Sequence, residues 1–356
     1  YLMKIIALRS YLKKMALTKP YTIAYSTFSD VSLAFFEVEL ANGMVGYGCG
    51  SPAGEVVGET TAQTAINLET EFVKNFVGRD IRHFQKMIYE ARQHFDHLPG
   101  TQAAIDIAMH DAFGKFMGIS VAEFYGQKIK ALPTSITIGI KSVEETLEDA
   151  AGFLSLGFKV LKVKLGLNIE EDIEKVLKLH EKYPTEYIIR VDPNQGYSLA
   201  DLNKFIEATK KVGVELIEQP LPVGKELELL KVDPAYRSIL MGDESLKDPQ
   251  AALEYAISKP FGVYNIKLMK CGGIMGAMEI ATIAKNANIN LFWGCNDESI
   301  ISITAALHAA YCCSNTKYID LDGSFDLAED LVTGGFELKD GYMHINSQPG
   351  FGVTKL

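Results

Sequence analysis

The chain has 356 residues, enough for a barrel of about 250 residues plus a smaller domain. Hydrophobic residues make up 47% and charged residues 22%, a globular balance that can fill a large core. The net charge of −10, with no basic run or basic-aromatic stripe, excludes a nucleic-acid backbone binder, and no apolar stretch is long enough to span a membrane.

The opening residues, Tyr1-Leu2-Met3-Lys4, carry no leader pattern and run into an expected strand, Ile5-Ile6-Ala7-Leu8. Residues 31–49 read as a hairpin turning at Asn42-Gly43, and residues 102–117 as a helix with apolar positions near every third or fourth place. Residues 1–125 are therefore expected to form an α+β capping domain. From about Leu132, short β-rich runs alternate with helical stretches, as in βαβ units. Strand ends fall near Thr137, Lys164, Asp192, Glu218, Asp243, Lys267, Gly294 and Asp320, which counts out a modified TIM barrel, (β/α)7-8, over residues 126–327. A doubly wound sheet is the competing architecture, but no glycine-rich fingerprint follows the first strand. The tail, residues 328–356, has further β-like runs and is expected to complete the capping domain. Five cysteines, an odd number without a CxxC pair, read as buried free thiols in a reducing cytoplasm.

From Lys164 to Asp192, Glu218, Asp243 and Lys267 the steps are 28, 26, 25 and 24 residues, about one strand, loop and helix each. A ring of parallel strands brings all five to one mouth. Alternate strand residues face opposite sides, so Lys162 and Lys164 both point into the barrel, while Leu161, Val163 and Leu165 face the helices. Three carboxylates at successive strand ends, without His or Cys, form a hard-oxygen site suited to Mg²⁺. Strands two and six of eight lie opposite, which places Lys164 and Lys267 on two sides of the metal. That pair can remove a proton next to a carboxylate from one face and return it on the other, with the cation stabilising the enediolate charge. Lys162 and the metal, as like charges, are expected to lower the pKa of Lys164 towards that of a working base.

Lys162-Val-Lys164, Asp192-Pro-Asn-Gln-Gly196, Glu218-Gln-Pro220, Asp243-Glu-Ser245 and Asn265-Ile-Lys-Leu-Met-Lys-Cys-Gly-Gly273 resemble the enolase superfamily, muconate-lactonizing subgroup. The likeness extends to Ala103-Ala-Ile-Asp-Ile-Ala-Met-His-Asp111 in the first domain. It implies Lys164 and Lys267 as bases and Asp192, Glu218 and Asp243 as metal ligands. Tyr318-Ile-Asp320-Leu-Asp322-Gly323 puts two aspartates on one face. It resembles the Asp-x-Asp signature of dipeptide epimerases, which implies a dipeptide substrate whose ammonium group meets Asp320 and Asp322. Gly294-Cys295-Asn296-Asp297-Glu298 resembles the family's strand-seven segment and Thr137 its strand-one polar residue, both within reach of substrate. Residues 17–26 look like the family's loop over the active site. Relatives that favour Ala-Glu carry an arginine there, aligned with Ser26, and no Arg or Lys lies between Lys19 and Lys74. Neutral or hydrophobic second residues are therefore expected, near Tyr21, Ile23 and Tyr25. Ser51-Pro-Ala-Gly54 reads as a second lid loop, and a homo-oligomer is expected.

Within the superfamily, N-acylamino acid racemase or o-succinylbenzoate synthase is the alternative, with Asp320 and Asp322 then structural. A non-catalytic metal- or peptide-binding barrel leaves the opposed lysines unexplained. His94 and His97, three apart, lack a third ligand, and His110 and His308 read as core residues. Lys270 falls on the opposite strand face from Lys267 by parity, so it ranks second as a base.

Overall fold

The computed structural model describes residues 3–356; Tyr1, Leu2 and the side chain of Tyr21 lie outside the described residues. Three antiparallel strands, β1 (Ile5–Ile23), β2 (Ser26–Leu40) and β3 (Val45–Gly50), form the first sheet in that order. The turn between β2 and β3 holds Gly43 at φ 84°, the left-handed region that favours glycine. The pair β1–β2 runs much further than the hydrophobic starts suggest. Buried Met15 and Leu17 alternate with exposed neighbours, so segment 17–26 is the tip of a strand pair rather than a loop. That tip reaches the barrel: Thr18 N donates to Asp326 O, and Ile140 N donates to Thr22 O.

The helix Pro99–Met117 lies directly across β3. A Cβ on Gly48 would sit 2.1 Å from Ala104 O, so the close approach requires glycine there. Val121 N donates to Gly350 O, which ties the end of this first region to the tail.

After β4 (Leu132–Pro133), eight parallel strands follow: β5 (Ser135–Ile138), β6 (Val160–Lys164), β7 (Ile188–Asp192), β8 (Leu216–Glu218), β9 (Leu240–Gly242), β10 (Val263–Ile266), β11 (Asn290–Trp293) and β12 (Thr316–Ile319). They pair in chain order. A parallel bridge between Thr134 and Ile319 closes β12 onto the start of β5, and Leu321 N donates to Thr134 Oγ1. The lower interior is filled by Leu216, Met241, Val263 and Phe292, with Arg190 stacked 5.4 Å from the Phe292 ring. This apolar plug forms the floor on which the polar mouth stands.

The tail forms β13 (Val332–Gly334), β14 (Phe336–Lys339), β15 (Tyr342–Ile345) and β16 (Val353–Lys355). It touches both regions: β15 pairs with β4, and Lys355 Nζ lies 2.5 Å from Glu37 in β2.

Candidate active site

Parity puts Lys162 and Lys164 on the inner face of β6, where both meet carboxylates. Lys162 Nζ lies 2.7 Å from Glu218 Oε2, 2.8 Å from Asp320 Oδ2 and 3.5 Å from Asp192 Oδ2. Lys164 Nζ donates to Asp192 Oδ2 at 2.6 Å and to Asn194 Oδ1 at 3.2 Å. On the other side, Lys267 Nζ donates to Asp243 Oδ2 at 2.6 Å. The two lysines of the mouth thus hold different carboxylates of one cluster.

Burial pushes Glu218 up, and the nearby charge of Asp192 adds to it; its carboxyl reaches about 8. For Asp192, burial acts upward too, but Lys164 and Lys162 outweigh it and hold the carboxyl below its ordinary value. Asp243 is held well below, because Lys267 and Lys270 overcome its burial. Burial favours neutral lysine, yet the carboxylates win at Lys162 and Lys267, and both are raised. In this arrangement the lysine ammonium groups balance the clustered carboxylates.

The donor set fits a hard divalent ion. Glu218 Oε2 faces Lys162 outside hydrogen-bonding alignment, and it and Glu244 Oε2 are buried oxygens with no hydrogen-bond partner. Buried carboxyl oxygens without a donor call for positive charge. Among the described residues, no three His, Cys, Asp or Glu groups stand already gathered at metal-holding spacing. Asp192 and Asp243 are turned to lysines instead.

The positions after the strands are set by side chains from neighbouring strand ends. Gln219, at φ 35°, accepts from Asp243 N and Ser245 N and donates to Leu221 O, which staples β8 to β9. Asn265 donates to Glu218 Oε1 at 2.6 Å. Lys270 departs from the parity expectation. The chain leaves β10 at Lys267 and turns into a short helix, Leu268–Cys271, so Lys270 swings back and donates to Asp243 Oδ1 and O, both at 2.7 Å. Strand alternation does not apply beyond the strand. The next turn is held from the first domain: Asp106 accepts from Ile274 N at 2.8 Å and Met275 N at 3.1 Å, and a Cβ on Gly273 would strike Asp106 at 2.5 Å.

Above the cluster lies a cavity of about 710 Å³ whose walls include Thr137, Ile23, Tyr25, Cys295, Asn296 and Asp297. Lys162, Lys164, Lys267, Asp243, Asp320 and Asp322 also face it. Four sequence-derived site residues do not. Asp192 and Glu218 lie beneath, 0% and 1% exposed. Ser26 pairs with Ile23 across the hairpin turn, and its short side chain stops before the cavity. Glu298 turns inward to accept from Asn296 N at 2.9 Å, so it shapes the loop rather than lining the wall. Asp320 faces the cavity but is already engaged: its carboxylate takes Lys162 and Ser135 Oγ, the latter at 2.7 Å. Asp322 accepts from Thr137 N at 2.7 Å. The segment after Ser51 is pinned, with Ser51 Oγ donating to Asp297 O and Asn296 Nδ2 to Ser51 O. Glu55 and Asp326 belong to this environment and no sequence pattern marks them; Asp326 lies in an irregular turn with no periodicity.

Residues 6–126 match the family model described as mandelate racemase / muconate lactonizing enzyme, N-terminal domain, and residues 145–355 match enolase C-terminal domain-like. The chain belongs to the enolase superfamily. This superfamily member is 45% identical to a protein of Desulforapulum autotrophicum named L-Lys-D/L-Arg epimerase, over 99% of this chain and 100% of the relative. It is 35% identical to one of Enterococcus faecalis named hydrophobic dipeptide epimerase, over 99% and 100%. A solved dipeptide epimerase of Methylococcus capsulatus, complexed with Mg and the dipeptide L-Arg-D-Lys, superposes with a TM-score of 0.97 at 42% identity, covering 99% of this chain and 100% of that one.

Proposed function

We propose that the chain is a Mg²⁺-dependent dipeptide epimerase that moves one proton at the α-carbon of the C-terminal residue. The observation that carries this is the pair of lysines, Lys164 and Lys267, each bound to a different carboxylate of the same cluster. The relatives' named activities and the Mg in a superposed structure support it.

Asp192, Glu218 and Asp243 would hold Mg²⁺, which would supply positive charge beside the substrate carboxylate, where the enediolate's second negative charge develops. One lysine, neutral, takes the α-proton: the C–H bond breaks and an N–H bond forms. The other lysine, protonated, gives its proton to the opposite face of the same carbon. Lys162, kept charged by Asp320 and Glu218, adds fixed positive charge beneath the reacting carboxylate. Asp322 accepts the substrate ammonium, while Asp320 acts by holding Lys162. Ser26 itself offers no basic partner to an acidic second residue, and Lys19 is the base that this strand tip brings to the cavity. The missing base at Ser26 argues against Ala-Glu and leaves neutral, hydrophobic and cationic dipeptides.

An N-acylamino acid racemase is the second reading, favoured by the commitment of Asp320 to Lys162 and Ser135, which leaves a single carboxylate for an ammonium group. Incubation with L,L-dipeptides and Mg²⁺ in D₂O decides the matter: deuterium should enter the C-terminal α-position. Exchange with N-acyl amino acids alone would select the racemase.

The division into a capping unit of 1–125 with 328–356 and a barrel of 126–327 belongs to the same proposal. So do a cytoplasmic setting, supported by five free cysteines, and a homo-oligomeric state. No helix of the described residues is long and apolar enough to cross a membrane.

A further inference from the structure

Lys164 holds its amine between two acceptors from the end of β7 and the turn after it. Its Nζ donates to Asp192 Oδ2 at 2.6 Å and to Asn194 Oδ1 at 3.2 Å. A neutral amine has two N–H groups and one lone pair, so holding both N–H groups fixes where the lone pair points. Asp192 belongs to the proposed cation site, and a bound cation competes for its oxygens. Asn194 is the acceptor outside that site.

An amide has an acceptor end and a donor end of nearly the same shape. Turned by half a rotation, Asn194 would present its NH₂ to Lys164, and two donors would meet. The backbone is fixed without deciding between the two. Asn194 N donates to Asp192 Oδ1 at 2.9 Å, Gln195 N to Gln219 O at 2.7 Å and Gly196 N to Pro193 O at 2.9 Å. Asn194 itself sits at φ 43°, a left-handed conformation that asparagine tolerates. The decision falls to the residue on the far side of the amide. Asn194 Nδ2 donates to Glu244 Oε1 at 3.3 Å. An ionised carboxylate only accepts, so it takes the NH₂ end and leaves Oδ1 for Lys164. Asn194 is 5% exposed and Glu244 3%, so water is a poor substitute for either partner. Both bonds of the amide are long, and what they supply is orientation more than energy.

We propose that Glu244 is a positioning residue for Lys164: through Asn194 it sets the direction of the lone pair that takes the α-proton. This rests on the epimerase reading and concerns one of its two bases. When neutral Lys164 acts, the C–H bond breaks, an N–H bond forms along the lone pair, and the two older N–H bonds stay where they were. Lys267 is held by Asp243, so the effect belongs to one face of the α-carbon.

The test uses proteins with a single base. Lys267→Ala reads the Lys164 face alone, and Lys164→Ala reads the Lys267 face alone. Exchange of α-deuterium is measured with Mg²⁺ in D₂O at pH 9, well above the value of about 7 that Glu244 reaches. The substrates are the L,L- and L,D-forms of the dipeptide that the wild type exchanges fastest. Adding Glu244→Gln should lower the ratio of the Lys164-face rate to the Lys267-face rate by about 5-fold, in kcat rather than KM. Glu244 also raises Lys267 by its charge, which is a second route to a changed ratio. Asn194→Gly separates the routes, because it removes the amide and suits φ 43°. In that background the change made by Glu244→Gln should shrink to within about 2-fold. Should Asn194→Gly not fold, Asn194→Asp takes its place, since a carboxylate shows Lys164 an acceptor whichever way it turns. Glu244→Ala, which also removes the acceptor, replaces Glu244→Gln on the same ground. An unchanged ratio with Asn194 present, or the same change with and without it, overturns the positioning role and spares the activity. No exchange by the wild type with any L,L-dipeptide sinks both.

Discussion

Removing the divalent cation should make stability fall as pH rises, and restoring it should flatten that fall. Glu218 titrates at about 8 in the fold, against an ordinary value of 4.5. A carboxyl raised on folding keeps its proton where the unfolded chain has lost it. The folded state then binds more protons, and stability is lost as pH climbs through that interval. The interval is worth about 5 kcal/mol at about 1.4 kcal/mol per pH unit, as an upper figure for one group. Glu244, at about 7, pulls in the same direction, though its titration is tied to that of the carboxylates nearby and the two do not add. Asp192 and Asp243 are lowered, so their contribution changes only in acid. Glu298 and Asp326, both at about 7, give a further loss on alkalinisation that the cation does not touch. Urea unfolding at pH 6 and pH 9, in EDTA and in Mg²⁺, reads the difference. A loss of several kcal/mol in EDTA, roughly halved in Mg²⁺, is expected. Identical slopes with and without the cation would mean that these carboxylates do not form its site.

Other consequences are as direct. Lys164→Ala and Lys267→Ala should each lower epimerisation by at least about 10³-fold, and each should keep solvent exchange with only one enantiomer at the α-carbon; a fully active Lys267→Ala removes the two-base account. Asp192→Asn should weaken Mg²⁺ binding measured by calorimetry about 10-fold or more, and unchanged affinity would reassign that ligand. Glu59 takes four donors, from Gly100 N, Thr101 N, Thr101 Oγ1 and Thr64 Oγ1, so Glu59→Ala should cost about 2–4 kcal/mol in urea unfolding; a loss below about 0.5 kcal/mol would deny it that capping role.

Much of the barrel was legible because each strand carries its own message. An apolar run ends in a charge, and the repeat length of about 25 residues is a property of the βαβ unit. Parity placed Lys162 and Lys164 correctly because both lie inside β6. It misplaced Lys270 because the rule stops where the strand stops. In sequence the tip of β1–β2 looks like a loop, since its strand character shows only in the pairing with a partner and in the burial of Met15 and Leu17. Ser26 stands out only by its alignment, and a side chain's reach is not written in its position. The engagement of Asp320 by Lys162 joins residues 158 apart, a contact no local pattern announces. Asp326 has no periodicity around it at all.

The clamp of Asp106 on Ile274 and Met275 makes one base a shared possession. Lys164 stands on its own strand, but the turn following Lys267 is fastened to a helix contributed more than 150 residues earlier. A barrel excised at residue 126 would therefore carry one base in register and one adrift. The hairpin tip and the Asp326 turn lie outside that clamp. Substitutions there leave the anchor of the second base untouched.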